Sequence, residues 1–414
     1  MTERLYYNQP ALLEFDSVVQ EVIAPTGDDP RHAFTLRESA FYPTSGGQVH
    51  DTGWVTLGGN RLKVGEIVEA EDGRIVHYLE GPTEPPLAGT PVHGAIDRDR
   101  RRDHMQQHSG QHVLSAAFIE LYEMPTVSFH MGDDYCSIDL STTVITPGQV
   151  AGAEKRANEI VFENRPVTIR YVHRDEAEKL GLRKMPPAER DELRLIEVAN
   201  FDLSACGGTH VNATGQIGSI LLRKTEKTRQ GTRVEFVCGG RAVAAARQDY
   251  STLTEAASLF SAKPADVPVM IRKTFDEARD LRRQKDDALE QLAGAIAEAA
   301  LAGASDNSTT ATPSGARVIK RIFANRDAGF AKLFVQKASR AGSGIVALAA
   351  STMNPPGVVF AQTPGGSADM GALLKQALAA VGGRGGGSRD FAQGGVPEGC
   401  DVEKLLREAA DKIV

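Results

Sequence analysis

Short apolar and β-branched runs dominate the first 95 residues. Ser-Val-Val-Gln-Glu-Val-Ile, Ala-Phe-Thr-Leu, Trp-Val-Thr-Leu and Arg-Ile-Val-His-Tyr-Leu recur between clusters rich in Gly, Asp and Pro. Runs of this length, separated by turn residues, predict strands, and their regular spacing predicts a small β-barrel. The pattern changes at residue 98, where Met105, Val113, Leu114, Ala117, Phe118 and Leu121 keep a 3–4 spacing that predicts a helix to about 122. Beyond it the chain reads as a hairpin over 127–140, a helix over 147–163, a strand near 166–173, a helix and loop over 175–190, and further strands around residues 193–198, 217–222 and 233–238. The middle region is therefore α+β.

From 250 to about 303 the spacing of Ile271, Phe275 and Ala278, then of Leu289, Leu292 and Ile296, is helical throughout. Arg282 and Lys285 interrupt the apolar seam, which argues against a strict coiled coil and for a helix pair or a dimer arm. Residues 304–315 are a linker by composition. Alternating strand and helix patterns follow, with a Gly-rich segment over 382–395 read as a loop, and predict a separate small α/β domain. The fold class expected is α+β, divided at 1–95, 96–248, 249–303 and 316–414.

Composition narrows the class. The chain has 414 residues, room for two or three cores, with 41% hydrophobic and 24% charged residues, ordinary for a globular protein. A net charge of −7 excludes a surface coated for non-specific nucleic-acid binding. Local basic runs remain at Arg98, Arg100, Arg101 and Arg102, and from Arg223 to Arg233. Taken alone they read as solvated faces. Four scattered cysteines give no disulfide framework. No stretch approaches the ~20 apolar residues of a membrane span, and the N-terminus has no secretory pattern, so a cytosolic location and no membrane partner are expected.

Two motifs carry chemistry. His-Ser-Gly-Gln-His puts His108 and His112 four apart on a helix, so both imidazoles share a face. Cys-Gly-Gly-Thr-His puts Cys206 and His210 at the same spacing around a Gly-Gly turn. One thiolate and three imidazoles suit Zn²⁺, one per chain. His104 lies on the same helical face, and spacing alone does not choose two of the three histidines. A third motif, Thr-Ser-Gly-Gly-Gln, sets Thr44, Gly46, Gly47 and Gln48 in a turn inside the barrel. The Gly-rich segment ends without the lysine of a P-loop.

These motifs, in this order, resemble those of the editing domain shared by alanyl-tRNA synthetases and free-standing alanyl-tRNA editing proteins, the long AlaX form included. The Gly-rich segment resembles that family's DHHA1-type C-terminal domain. The resemblance implies His108, His112, Cys206 and His210 as the ligands, leaving out His104. It implies a catalytic pocket with Thr44, Gln48 and, more loosely, His130, and places Gly46 and Gly47 against the aminoacyl group. Arg98, Arg233 and Arg389 become candidate tRNA contacts, although Arg389 stands where the synthetase pattern has arginine then proline. The chain opens on the barrel, so the resemblance implies hydrolysis in trans of tRNA(Ala) mischarged with Ser or Gly. A homodimer through the C-terminal region and, from the synthetase side, nucleotide (ATP) binding are further expectations. The alternatives are a zinc-stapled RNA-binding protein without activity, and editing of Ser-tRNA(Thr). Phosphodiester chemistry would need an Asp-His-His motif that the sequence lacks.

Overall fold

The computed structural model describes residues 2–26, 29–81, 83–183, 191–229, 231–303, 309–311 and 315–413. The chain forms two compact units, Met1–Glu255 and Ala256–Val414.

In the first unit, β1 (Glu3–Arg4) precedes β2 (Glu14–Ile23), β3 (Ala33–Leu36), β4 (Glu38–Ser39), β5 (Gly53–Leu57), β6 (Asn60–Glu69), β7 (Ile75–Leu79) and β8 (Pro91–Ile96). Six of these close a barrel in the order β2-β3-β7-β6-β5-β8. Closure removes sheet edges, and Phe15, Phe34, Phe41, Val55, Ile67 and Ile75 fill the interior. The barrel expected from the strand pattern is thus present.

Next come α1 (Arg98–Tyr122), β9 (Thr126–Met131), β10 (Cys136–Leu140), α2 (Pro147–Phe162), β11 (Val167–His173), α3 (Arg174–Ala177), β12 (Glu192–Val198), β13 (Asp202–Ala205), β14 (Ile220–Lys227), β15 (Thr232–Cys238) and α4 (Gly239–Ser258). Two sheets form, β14-β15-β10-β9 and β11-β12-β13. Asp97 caps α1 by accepting from the Asp99 and Arg100 amides. From His104 to Phe118 this helix is buried all round, although its sequence is half polar. Its buried glutamines find partners instead. Gln107 donates to the Cys238 carbonyl and accepts the Cys238 amide, Gln106 donates to the Gln216 carbonyl, and Gln111 donates to Ser115. α1 is therefore the central rod of the unit and holds its polar residues within bonding reach of fixed acceptors.

A buried ion pair locks this rod to the barrel. Arg101 and Asp51 are both fully buried. The Arg101 guanidinium bonds both Asp51 carboxylate oxygens and donates to the carbonyls of Pro10 and Ala40, at 2.7 and 2.5 Å.

In the second unit, α5 (Val267–Leu301), β16 (Thr309–Ala311), β17 (Arg317–Phe323), α6 (Ala328–Arg340), β18 (Ile345–Ser351), β19 (Gly357–Gln362), α7 (Met370–Val381), β20 (Arg384–Gly387), β21 (Phe391–Gly395) and α8 (Val402–Ala410) build on one sheet, β16-β17-β18-β19-β21-β20. Alternate residues of its central strands face opposite ways. Ile345, Ala347, Ala349 and Val359 pack with α5 and α6, while Val346, Leu348, Val358 and Phe360 pack with α7 and α8.

Three expectations need correction here. The helical region is two helices, as a helix pair requires, but it begins at Gly239 rather than 250, with α5 starting at Val267 and Ser261 at a left-handed φ of 51° between them. The expected linker lies partly outside the described residues, and within it Thr309–Ala311 pairs with β17. The Gly-rich segment is a hairpin, not a loop, with Arg384 opposite Gly395 and Gly387 opposite Ala392. Its glycines serve close packing. A Cβ on Gly394 would lie 2.4 Å from Leu378 Cδ1, and one on Gly385 2.4 Å from the Gly394 Cα.

Candidate metal centre

The two sequence motifs meet. His108 and His112 project from α1, and Cys206 and His210 from the turn after β13, with their ligand atoms all within 4.8 Å of one another. His108 Nε2 lies 3.3 Å and His210 Nε2 3.4 Å from Cys206 Sγ. Tetrahedral Zn²⁺, with Zn–S of ~2.3 Å and Zn–N of ~2.0 Å, would set these edges at about 3.6 Å. The donor set fits one such ion in both chemistry and spacing. His104 is not among the four. It lies one turn earlier with Nδ1 buried and unpartnered, and burial pulls its pKa down to about 4.

Each imidazole is oriented from behind through Nδ1. His108 Nδ1 donates to Gln48 Oε1 at 2.7 Å. His112 Nδ1 donates to Asp202 Oδ2 at 3.2 Å, and His210 Nδ1 faces Ser109 Oγ at 3.2 Å. With a proton held on Nδ1, Nε2 presents its lone pair to the centre, as metal-binding histidines require. Asp202 is itself held by Arg183 and Ser204. Burial opposes ionisation of Asp202, yet His112 and Arg183 keep its carboxyl below the usual range. Burial also raises the Cys206 thiol, but the charges of His108 and His210 and its hydrogen bonds outweigh it and hold the pKa well below that of a free thiol. Burial drives His210 down to about 3.

The turn geometry explains the glycines. Gly46 and Gly47, with φ of +57° and +83°, form the two-residue turn closed by the Gln48 amide on the Ser45 carbonyl at 3.0 Å. Gly208 lies so close to the metal ligands that a Cβ there would sit 2.1 Å from His108 Cε1.

The predicted pocket residues divide. Gln48 reaches the centre, but its amide is spent inside, accepting from His108 and the Thr209 amide and donating to Thr209 Oγ1 at 2.8 Å. It is a positioning group rather than one open to substrate. Thr44 is exposed at the turn and bonds His50. His130 does not join the site. Its neighbour Phe129 packs on His108, so on β9 His130 turns to the opposite face, exposed and 3.8 Å from Asp139. Arg233 is paired with that same Asp139. Arg98 is exposed, and Arg389, also exposed, touches only the Ser367 carbonyl at 3.3 Å.

Sequence reasoning missed Asp202, Ser109 and Arg194. Arg194 donates to the carbonyls of Cys206 (2.6 Å), Gly208 (3.1 Å) and Tyr7 (2.9 Å), clamping the metal turn. Ser109 sits inside the His-Ser-Gly-Gln-His motif itself, whereas Asp202 and Arg194 act from other strands and no spacing rule links them to the motifs.

Residues 193–235 match the family described as "Threonyl and Alanyl tRNA synthetase second additional domain". The alanine–tRNA ligase of Archaeoglobus fulgidus is 31% identical over 415 residues, covering 98% of this chain and 43% of the ligase. The chain thus spans less than half the length of that enzyme. A solved C-Ala domain of Aquifex aeolicus alanyl-tRNA synthetase is 14% identical and covers 23% of this chain and 89% of its own, with a TM-score of 0.22, a likeness too slight to bear on the fold. The alanyl-tRNA editing protein AlaX-L of Pyrococcus horikoshii is 30% identical over 418 residues, covering 100% of this chain and 98% of its own. With the barrel turn, the two metal motifs and a match running end to end, the chain belongs to the family of AlaX-L alanyl-tRNA editing proteins.

Proposed function

We propose that the protein hydrolyses the ester of tRNA(Ala) mischarged with serine, and with glycine, at a centre holding one Zn²⁺. The convergence of His108, His112, Cys206 and His210, with a hydrogen-bond partner behind each imidazole, carries this reading. Four protein ligands fill a tetrahedral shell, so zinc held there would act on water or on the ester carbonyl only by taking a fifth ligand. The chain's own part is to aim the three rings and to keep the thiol ionised. Cys206 and the exposed Gly207 are the reachable side of the centre, where the reactive ester would enter.

An editing pocket must bond serine's hydroxyl, because a pocket that merely tolerates it discriminates by only about a hundredfold. Thr44 suits that task. His50 Nε2 donates to the Gly65 carbonyl, leaving Nδ1 to accept the Thr44 hydroxyl proton, and Thr44 Oγ1 accepts the His50 amide. One lone pair of Oγ1 remains for a serine hydroxyl. Hydrolysis of an activated ester runs downhill and consumes only water, so ATP binding has no place in this reaction and fits the ligase rather than this chain. The second unit, with Arg389 exposed on its hairpin, is proposed to hold tRNA and to pair two copies. Among the described residues no helix is long and apolar enough to cross a membrane.

The experiment is deacylation of Ser-tRNA(Ala), Gly-tRNA(Ala) and Ser-tRNA(Thr) side by side, with Cys206→Ala as control. Turnover of Ser-tRNA(Ala), lost in folded Cys206→Ala, is expected. Full activity in that variant would reduce the metal to a staple. Turnover of Ser-tRNA(Thr) alone would move the substrate to the other tRNA.

A further inference from the structure

A cavity of about 390 Å³ in the first unit lies between the first turns of α1, the segment leading into the barrel and the loop after the metal turn. Arg98, Arg101, Arg102, Met105, Val211 and Gln216 line it. Its three arginines differ in kind. Arg101 is buried with its charge met by Asp51. Arg98 and Arg102 are exposed, and neither has an ion-pair, hydrogen-bond or ring partner among the described residues. Several other arginines of this unit are engaged, Arg156 by Glu120, Arg223 by Asp249 and Arg241 by Asp103. Two unopposed guanidinium groups at one cavity, in a chain of net charge −7, mark a place where an anion is accepted.

The cavity reaches the chain segment just after the candidate metal turn. Positions 98, 102, 105, 109 and 112 follow i+3 and i+4 steps, so the free arginines share a stripe of α1 with Ser109 and His112. At a rise of 1.5 Å per residue, Arg102 stands about 9 Å and Arg98 about 15 Å from His108 along the helix axis. On the opposite wall, Val211 is next in the chain to His210 and donates its amide to Ser109 at 3.1 Å. A substrate whose ester sits at the metal must lead its preceding nucleotides away along some wall, with one negative charge each.

Resting on the editing reading, we propose that this cavity takes the backbone phosphates of the single-stranded 3′ end of the tRNA, with Arg98 and Arg102 as their partners. The guanidinium fork suits phosphate oxygens, and four residues, about 6 Å, separate the two side chains along the axis. The contact is to phosphates rather than bases, so it sets position and affinity without reading sequence.

The test is binding of uncharged tRNA(Ala) to the full chain across a salt series, beside the deacylation assay, using R98A, R102A, R102K and R37A. Arg37 is an exposed barrel arginine without a side-chain partner among the described residues and controls for lost charge. R98A and R102A should each weaken binding about tenfold and lower the salt slope by about 0.7. They should raise KM while keeping kcat at saturating substrate. R102K should recover most of the slope, and R37A should change neither quantity. Wild-type affinity and slope in R98A and R102A, an equal loss in R37A, or no tRNA binding by the wild type would each overturn the proposal. So would displacement of tRNA by millimolar inorganic phosphate at constant ionic strength, which would make the cavity a site for a small anion. Because binding is read with uncharged tRNA, a wild-type chain that deacylates nothing refutes the editing reading while the salt series still decides the cavity.

Discussion

The pair formed by Arg101 and Asp51 makes a sharp prediction, because it joins the element that carries two metal ligands to the barrel that carries Gln48. Asp51→Ala leaves a fully buried guanidinium with only the carbonyls of Pro10 and Ala40, and strips the acceptor from the Tyr42 amide, now 2.7 Å from Asp51 Oδ2. Breaking one side of a buried pair costs about 3–5 kcal/mol, and the orphaned amide adds about 1 kcal/mol. For a urea slope of about 3 kcal/mol/M, a loss of about 4 kcal/mol moves the midpoint down by about 1.3 M. The double variant Asp51→Ala/Arg101→Met removes both charges and leaves only neutral groups unpaired, so it should cost about 2–3 kcal/mol, less than Asp51→Ala alone. The readout is built in. Trp54 is the one tryptophan of the chain and lies on β5 of the barrel, so its fluorescence follows the barrel through urea. Deacylation at low urea should fall with barrel stability, since α1 loses its anchor two turns before His108. A loss under about 1 kcal/mol in Asp51→Ala, or a double variant as costly as the two singles combined, would refute the reasoning.

Three further outcomes are expected. Gln48→Ala removes the acceptor behind His108 and should weaken Zn²⁺ binding about 10–100-fold in chelator competition; a change under about twofold would mean the ring is aimed by something else. His77, fully buried, donates from or accepts at both ring nitrogens, and burial lowers its pKa to about 4. Its folded value lies below the unfolded ~6.5, so its contribution is complete above pH 6.5 and is lost as pH falls toward 4, by on the order of 3 kcal/mol; urea midpoints followed by Trp54 should decline over that window in the wild type and much less in His77→Gln, and equal declines would count against it. Gly394→Val, whose Cβ would lie 2.4 Å from Leu378 Cδ1 and 2.8 Å from the Arg384 carbonyl, should cost the second unit about 1–3 kcal/mol, seen as faster hydrogen exchange in α7 with the Trp54 transition unmoved.

The ligands were legible in sequence because a helix and a tight turn make four-residue spacing a statement about faces. Their partners were not. Asp202 stands 90 residues from His112 and Gln48 60 from His108, and such contacts exist only once strands have been brought together. For the same reason Gln48 reads from the motif as a substrate-facing group, whereas the fold turns its amide inward to Thr209. α1 shows a second limit. Gln106, Gln107 and Gln111 are all buried, the first two because partners outside the helix satisfy them and the third because Ser115 lies one turn on. Glycine richness over 382–395 suggested a loop because glycine disfavours strands; here the missing side chains are what let β20 and β21 pass beneath Leu378.

The clamp of Arg194 on the metal turn also bears on how the protein is born. A chain growing from its N-terminus can close the barrel once β8 has emerged, and can form α1 soon after. His108 and His112 then wait for nearly a hundred further residues before Cys206 and His210 arrive, and β12 must arrive first to deliver the arginine that shapes their turn. Nothing short of residue 210 can assemble the centre, so incomplete chains are chemically silent. On the proposed function, the centre is thereby kept from acting on any charged tRNA until the chain has grown past His210.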